Sequence, residues 1–513
     1  MYNSLKIDSK KAKRFSIIFL ILSFIFALGL VKKSFQNDTF YTIKIGELII
    51  NHGIDMLDHF SFHNALAYTY PHWLYDSFIY LVYKIGGYTS IYISTILLFY
   101  ILITIVYKTN LTLCKNLFAA TFATFICELA IASFITARAQ LVSFILFVLV
   151  IYFIEMFLKK KKKKYLFGLL LVSLILCNIH VAVWPFYFIL YLPYFAEYLT
   201  AIILNKIKKD NKITKFIKNK FIIEKNDGIK VLFIIFILSI LTGLLTPIGN
   251  TPYTYIIKTM QGNSTSYINE HQMLSWAESP FTIIIAIETL FLVAISKTKI
   301  RDFFMISGLI LMSIISIRHL SFLALIGTIC FARVFTLFLN NYNIPMEEKF
   351  INIVSNKKLL IPLIVIIVSL STYLFTNQLK KDYIDKTLYP VDATTYIKKN
   401  IDTTNMRLFN DYNFGSYLLL NDIKVFIDSR ADLYTKPFSS YKYDIFDDYT
   451  YVVNQYNQTF DFYNITHILI YKENNNLYNV LSKDNNYKSL YEDKYFILYE
   501  RLNKPDIYLS YKN

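Results

Sequence analysis

Eleven long apolar runs, separated by short basic clusters, decide what this chain can fold into. They cover 16–31, 88–107, 117–137, 141–158, 165–179, 185–204, 231–245, 281–295, 303–317, 320–339 and 359–375. A helix of about 20 apolar residues crosses a bilayer core, so the pattern predicts a polytopic α-helical membrane protein with about eleven crossings. The chain is 55% apolar and only 17% charged over 513 residues, which excludes an ordinary soluble enzyme, whose surface needs more charge. A twelfth segment, 73–85, carries Asp76 and Lys84 and ends at Gly86-Gly87. It reads either as a surface helix or as half of a broken span shared with 88–107.

The charge divides the chain again. Residues 1–376 hold 36 Lys and Arg against 18 Asp and Glu, whereas 377–513 hold 17 against 18. This predicts a transmembrane domain over 1–376, with a large first outer loop at 32–72, followed by a separate polar domain over 377–513. Basic clusters collect on the inner side of membrane proteins. With the N-terminus inside and 73–107 crossing once, 28 of the 36 basic residues fall there. The C-terminal domain then lies outside. A nucleic-acid partner is excluded, because it would need that charge on one folded face. The four cysteines lie in or beside apolar runs without CxxC spacing, which argues against a zinc site or a disulfide framework.

The same topology sends all eight histidines to the outer side or to outer span ends. Isolated acids and arginines go with them, which makes the outer face the working face. The first outer loop carries Asp38-Thr39-Phe40, His52-Gly53 and Asp58-His59-Phe60-Ser61. Its apolar residues Phe40, Ile43, Ile45, Leu48, Ile49 and Ile50 suggest a helix lying in the membrane interface. The bland alternatives are a helix N-cap for Asp38 and a turn for Asp58. Arg138-Ala139-Gln140, Asn178-Ile179-His180 and Arg318-His319 stand at span ends, where an arginine either snorkels or grips phosphate oxygens with its fork. His59 and the pair Glu270-His271 are candidates for a divalent cation or an acceptor, without diagnostic ligand spacing.

In this order the residues resemble the GT-C superfamily of integral-membrane glycosyltransferases. The nearest kinds are bacterial lipopolysaccharide sugar transferases and dolichyl-phosphate-mannose-dependent enzymes. The motifs that carry the resemblance are Asp38-Thr39-Phe40, Gly46, His52-Gly53, Asp58-His59-Phe60-Ser61, His72-Trp73-Leu74, Arg138-Ala139-Gln140, Asn178-Ile179-His180, Pro247-Ile248-Gly249 and Arg318-His319. The resemblance implies a GT-C-like fold in the bacterial cytoplasmic membrane, among its lipids. It also implies an inverting transfer of sugar from a polyprenyl-phosphate donor to a cell-envelope acceptor. Asp38 would be the general base and Asp58 a second acid or metal ligand. Arg138, Arg318 and His180 would hold the donor phosphate. No WWDYG-type signature of oligosaccharyltransferases is present, which speaks against transfer to protein asparagine. No Gly-rich loop for a soluble nucleotide donor is present either.

Past residue 376 the chain reads as a small α/β domain. Ala393 to Asn400 is its expected opening helix, and 406–409, 417–420, 425–427, 467–471 and 495–499 are its expected strands. Asp428 and Arg430 alternate at a strand end, as a loop-fixing pair or as part of a site. Two other functions fit less of the chain. A transporter or flippase for a polar lipid or polysaccharide would use the mid-span Glu128, Glu288 and Arg333. A non-catalytic scaffold would use only the outer tail.

Overall fold

A computed structural model describes residues 10–502 apart from 65, 208–210, 263–271, 274–279 and 440. Every one of the eleven apolar runs falls on helix. Among the described residues, seven helices have the length and apolarity to cross a membrane: Lys10–Leu30, Trp73–Cys114, Leu117–Phe134, Ala139–Lys160, Val181–Lys206, Ile317–Asn341 and Lys357–Leu379. Gly228–Leu244 and Pro280–Ile295 are shorter and equally apolar. The Trp73–Cys114 helix is two helices meeting at a kink, with Gly86 at φ −160° and Gly87 at φ 61°. Gly87 sits in the left-handed region, which glycine enters without a Cβ penalty. This is the broken-helix form of 73–107.

The chain packs into two compact units. The first comprises Met1–Lys32, Tyr92–Thr246 and Ile268–Lys380, and the second Lys33–Ile91, Pro247–Tyr267 and Lys381–Asn513. The units therefore do not follow the division at 376/377. The first loop and the C-terminal residues pack as one body, because their backbones and charges pair directly.

In the first unit the opening helix Lys10–Leu30 lies along Lys357–Leu379. A Cβ on Gly29 would stand 2.7 Å from the Leu374 side chain, so the two backbones approach as close as only glycine permits. The mid-span Arg333 is accounted for by pairing. Its guanidinium meets Glu155 at 2.6 Å and also Asp302, while Arg301 reaches Glu155 at 3.0 Å and Glu197 at 2.9 Å. A buried charge is tolerable only when paired and hydrogen-bonded, and this network fixes helices from four parts of the unit.

In the second unit a four-stranded sheet runs Leu408–Asn410, His467–Tyr471, Phe496–Arg501, Tyr487–Glu492 in spatial order. The first pair is parallel and the other two are antiparallel. The expected opening helix is present as Val391–Asn400. The expected strand at 417–420 is instead the end of a short helix, Gly415–Leu420. Four apolar residues cannot separate a period of 2 from one of 3.6, and packing decides: this helix lies on Asn37–His52, with Tyr417 edge-on to Phe40. The first-loop helix consequently buries Phe40, Tyr41, Ile43 and Ile45 against protein and leaves Ile50 exposed. A Cβ on Gly46 would stand 2.1 Å from the Asp76 carbonyl oxygen, so this glycine lets the Asn37–His52 and Trp73 helices cross in contact.

Asp411 sets a pH dependence for this unit. Burial pushes its carboxyl up to about 7, against the Tyr471 N–H it accepts at 2.7 Å. A carboxyl raised in the fold binds a proton that the unfolded chain has lost, so its contribution to stability falls as pH rises from about 4 to about 7. We expect Asp411→Asn to remove that fall. The difference in melting temperature between variant and parent should widen across this window and level off above it, measured by thermal unfolding of the purified protein.

Candidate functional site

Within the second unit, Asp38 occupies the first turn of Asn37–His52 and is half-buried. The N-cap is Gln36, without a side-chain cap bond, so Asp38 is not the N-cap of this helix. Hydrogen bonds frame it. Phe35 N–H donates to the Tyr383 carbonyl at 2.9 Å, Asn37 Nδ2 to the Tyr412 carbonyl at 2.9 Å, and the Tyr389 hydroxyl to the Phe35 carbonyl at 3.2 Å. Burial raises the Tyr389 phenol, and the negative charge of Asp38 raises it further. That phenol therefore stays neutral beside the acid. One turn on, the Tyr41 hydroxyl meets His72 Nδ1 at 3.4 Å.

Asp58 has a different setting. Its side chain is fully buried, with Oδ1 receiving Arg430 Nη1 at 2.7 Å. Its Oδ2 accepts Ser61 N–H at 2.9 Å and Ser61 Oγ–H at 2.5 Å. Burial works against ionisation, but Arg430 and Ser61 outweigh it and hold Asp58 below its ordinary value. Arg430 also grips Asp428 bidentately, Nε to Oδ1 at 2.9 Å and Nη2 to Oδ2 at 2.7 Å. Tyr434 adds a hydroxyl to Asp428 Oδ2 at 2.5 Å. Four residues after Asp428, Asp432 Oδ2 accepts the Tyr255 hydroxyl at 2.5 Å. The five residues Asp428 to Asp432 thus clasp all three chain segments of the second unit. The loop-fixing reading of Asp428 and Arg430 describes this geometry, and the partner the sequence concealed is Asp58. A carboxylate so engaged fixes a loop, which sets Asp58 apart from Asp38.

Nearby, His63 Nε2 donates to the Phe426 carbonyl at 2.8 Å, and burial pushes its imidazole down to about 4. It is neutral and structural. His59 lies on the surface, 2.6 Å from Asp55. Among the described residues no three His, Cys, Asp or Glu side chains gather as a metal site. Glu270 and His271 lie outside the described residues. A pocket of about 400 Å³ opens beside Tyr396, Asn400, Asp402, His467 and Glu500, and none of the expected site residues lines it.

The donor-phosphate candidates belong to the first unit, which brings their segments together. Arg138 is the N-cap of Ala139–Lys160, so it stands at the end where backbone N–H groups lack partners. In the first turn of that helix Gln140 Nε2 donates to Ser321 Oγ at 3.2 Å, and Ser321 Oγ in turn donates to the Arg318 carbonyl at 3.1 Å. Ser143, on the same helix, meets the buried His180 Nδ1 at 3.0 Å. Three segments that are remote in sequence are therefore linked around one helix end, and Arg138 and Arg318 are each half-exposed there. A π-helical turn, Leu323–Gly327, follows Arg318-His319 after the short helical segment Leu320–Phe322, the kind of local bulge that often accompanies function.

The chain has a fold that solved structures share. Two solved structures with this fold are of the Archaeoglobus fulgidus oligosaccharyltransferase. The apo form matches at TM-score 0.59 and 10% identity over 91% of this chain and 70% of that one. A crystal structure tethered through a disulfide to an acceptor peptide containing the NVT sequon matches at TM-score 0.54 and 9% identity, over 90% and 69%. At such identities the likeness is one of fold. No protein-family model and no curated protein sequence matches the chain.

Proposed function

We propose that the protein is a membrane glycosyltransferase that moves a sugar from a polyprenyl-phosphate donor to a cell-envelope acceptor. The observation that carries this reading is the fold itself, matched over nine-tenths of the chain to a membrane sugar transferase. Asp38 accepts the proton of the acceptor hydroxyl. The acceptor oxygen attacks the anomeric carbon as the bond from that carbon to the lipid phosphate breaks, and this single displacement inverts the centre. Arg138, Arg318 and His180 stabilise the departing phosphate. The donor side faces the compartment opposite the lysine clusters. His59 in the first loop, or Glu270-His271, would hold a divalent cation or the acceptor.

The test is transfer of labelled sugar from a polyprenyl-phosphate donor to envelope lipid and glycan fractions by the purified protein in vesicles. Transfer supports the reading, and failure with every acceptor fraction overturns it. Arg138→Gln and Arg318→Gln are each expected to raise the donor KM roughly tenfold, since a charge-assisted hydrogen bond contributes about 1.5–3 kcal/mol.

A further inference from the structure

The segment Lys212 to Lys220 serves no part of that chemistry, yet it is built with care. It forms a nine-residue helix whose start is capped by Asn211, which accepts the Thr214 N–H at 2.8 Å. At 3.6 residues per turn, Ile213, Phe216 and Ile217 fall within one arc of roughly 100°. Lys212, Lys215 and Lys218 occupy the other side. Only Thr214 is buried, whereas Ile213 is 68% and Phe216 62% exposed. An apolar stripe beside a lysine face is the pattern of a helix lying in a membrane surface.

The rest of the first unit shows where this helix is held. The Val181–Lys206 helix ends shortly before it and Gly228–Leu244 begins shortly after. Lys220 Nζ donates to the carbonyls of Ala294 at 2.5 Å and Ser296 at 3.0 Å, at the end of Pro280–Ile295. Phe221–Ile222 then pairs in parallel with Thr298–Lys299, which leads straight into Ile300–Ile315. Its C-terminal end is thus tied to the turn between two apolar helices, Pro280–Ile295 and Ile300–Ile315. Between residues 206 and 230 the chain carries nine lysines against three acids. A zwitterionic surface would not balance that charge, whereas an anionic one attracts each nearby lysine.

We propose that Lys212–Lys220 is an interfacial helix that seats Ile213, Phe216 and Ile217 among the upper acyl chains and gathers anionic phospholipid headgroups with Lys212, Lys215 and Lys218. The ligand class is an anionic lipid, and the site is independent of the transfer reaction.

The test places a reporter on the stripe. Full-length Phe216→Trp protein is reconstituted in mixed vesicles in which either phosphatidylglycerol or phosphatidylcholine carries brominated chains, and the parent protein's fluorescence is subtracted. The added tryptophan should be quenched by bromine near the headgroup. The brominated anionic lipid should quench it roughly threefold better than the neutral one at equal content, a ratio set by attraction of lysine to the anionic surface. Adding Lys212→Gln, Lys215→Gln and Lys218→Gln should bring the ratio to one while quenching itself persists. Absence of quenching by either lipid, as when a soluble protein covers the stripe, overturns the proposal. So does a ratio of one before the lysines are changed.

Discussion

An Asp38→Asn variant is expected to fold, insert and lose sugar transfer, with turnover falling roughly 10²–10⁴-fold, the range a positioned general base contributes. The substitution keeps the shape of the side chain and removes only its basicity. The helix start does not depend on it, because Gln36 is the N-cap and the frame is set by Phe35, Asn37 and Tyr389. Loss of an acid from a first turn costs about 0.3–1 kcal/mol through the helix dipole, too little to unfold the unit. The donor KM should stay near the parent value while kcat collapses, whereas Arg138→Gln, which loses a phosphate contact made both before and during departure, raises KM and lowers kcat together. An unchanged turnover would remove Asp38 from the chemistry.

Arg430→Met should have the largest effect on stability. Arg430 is buried between Asp58 and Asp428, both fully inaccessible. Removing the cation leaves two buried carboxylates facing each other, and breaking a buried pair in this way costs about 3–5 kcal/mol. For a unit of this size that is a drop in melting temperature on the order of 10 °C. Adding Asp58→Asn and Asp428→Asn to Arg430→Met removes the stranded charges and should recover most of the loss. Thermal unfolding of the purified protein, with limited proteolysis of the 381–502 region, reads both outcomes. A single variant as stable as the parent would show that the clasp contributes nothing.

Much of the membrane unit was legible in the sequence, because a hydrocarbon layer forces each crossing to declare itself as an apolar run of fixed length. The kink at Gly86-Gly87 was legible for a related reason, since two adjacent glycines interrupt a helix wherever they stand. The pairing of Asp58 with Arg430 was not. The two residues are 372 positions apart, and neither periodicity nor composition records a contact at that range. Arg333 stood out as a mid-span charge, but its partners Glu155 and Asp302 lie on other helices and carry no local mark. At the candidate site, Arg138, His180 and Arg318 were visible as polar residues closing apolar runs. The links that gather their segments run through Gln140, Ser143 and Ser321, whose side chains are unremarkable in sequence. Asp38 and Asp58 looked alike there, and only burial and partners distinguish them.

The Asp428 to Asp432 clasp also imposes an order on biogenesis. The ribosome releases the 33–91 segment hundreds of residues before the arginine that neutralises Asp58 exists, and the 247–267 segment well before the acid that receives Tyr255. Both must wait, half-assembled, until the last quarter of the polypeptide emerges, a non-local closure of the slow kind. Premature termination between Lys380 and Asp428 therefore yields an inserted helical body bearing an orphaned acid and bare aromatic surface, a ready target for the cell's membrane proteases.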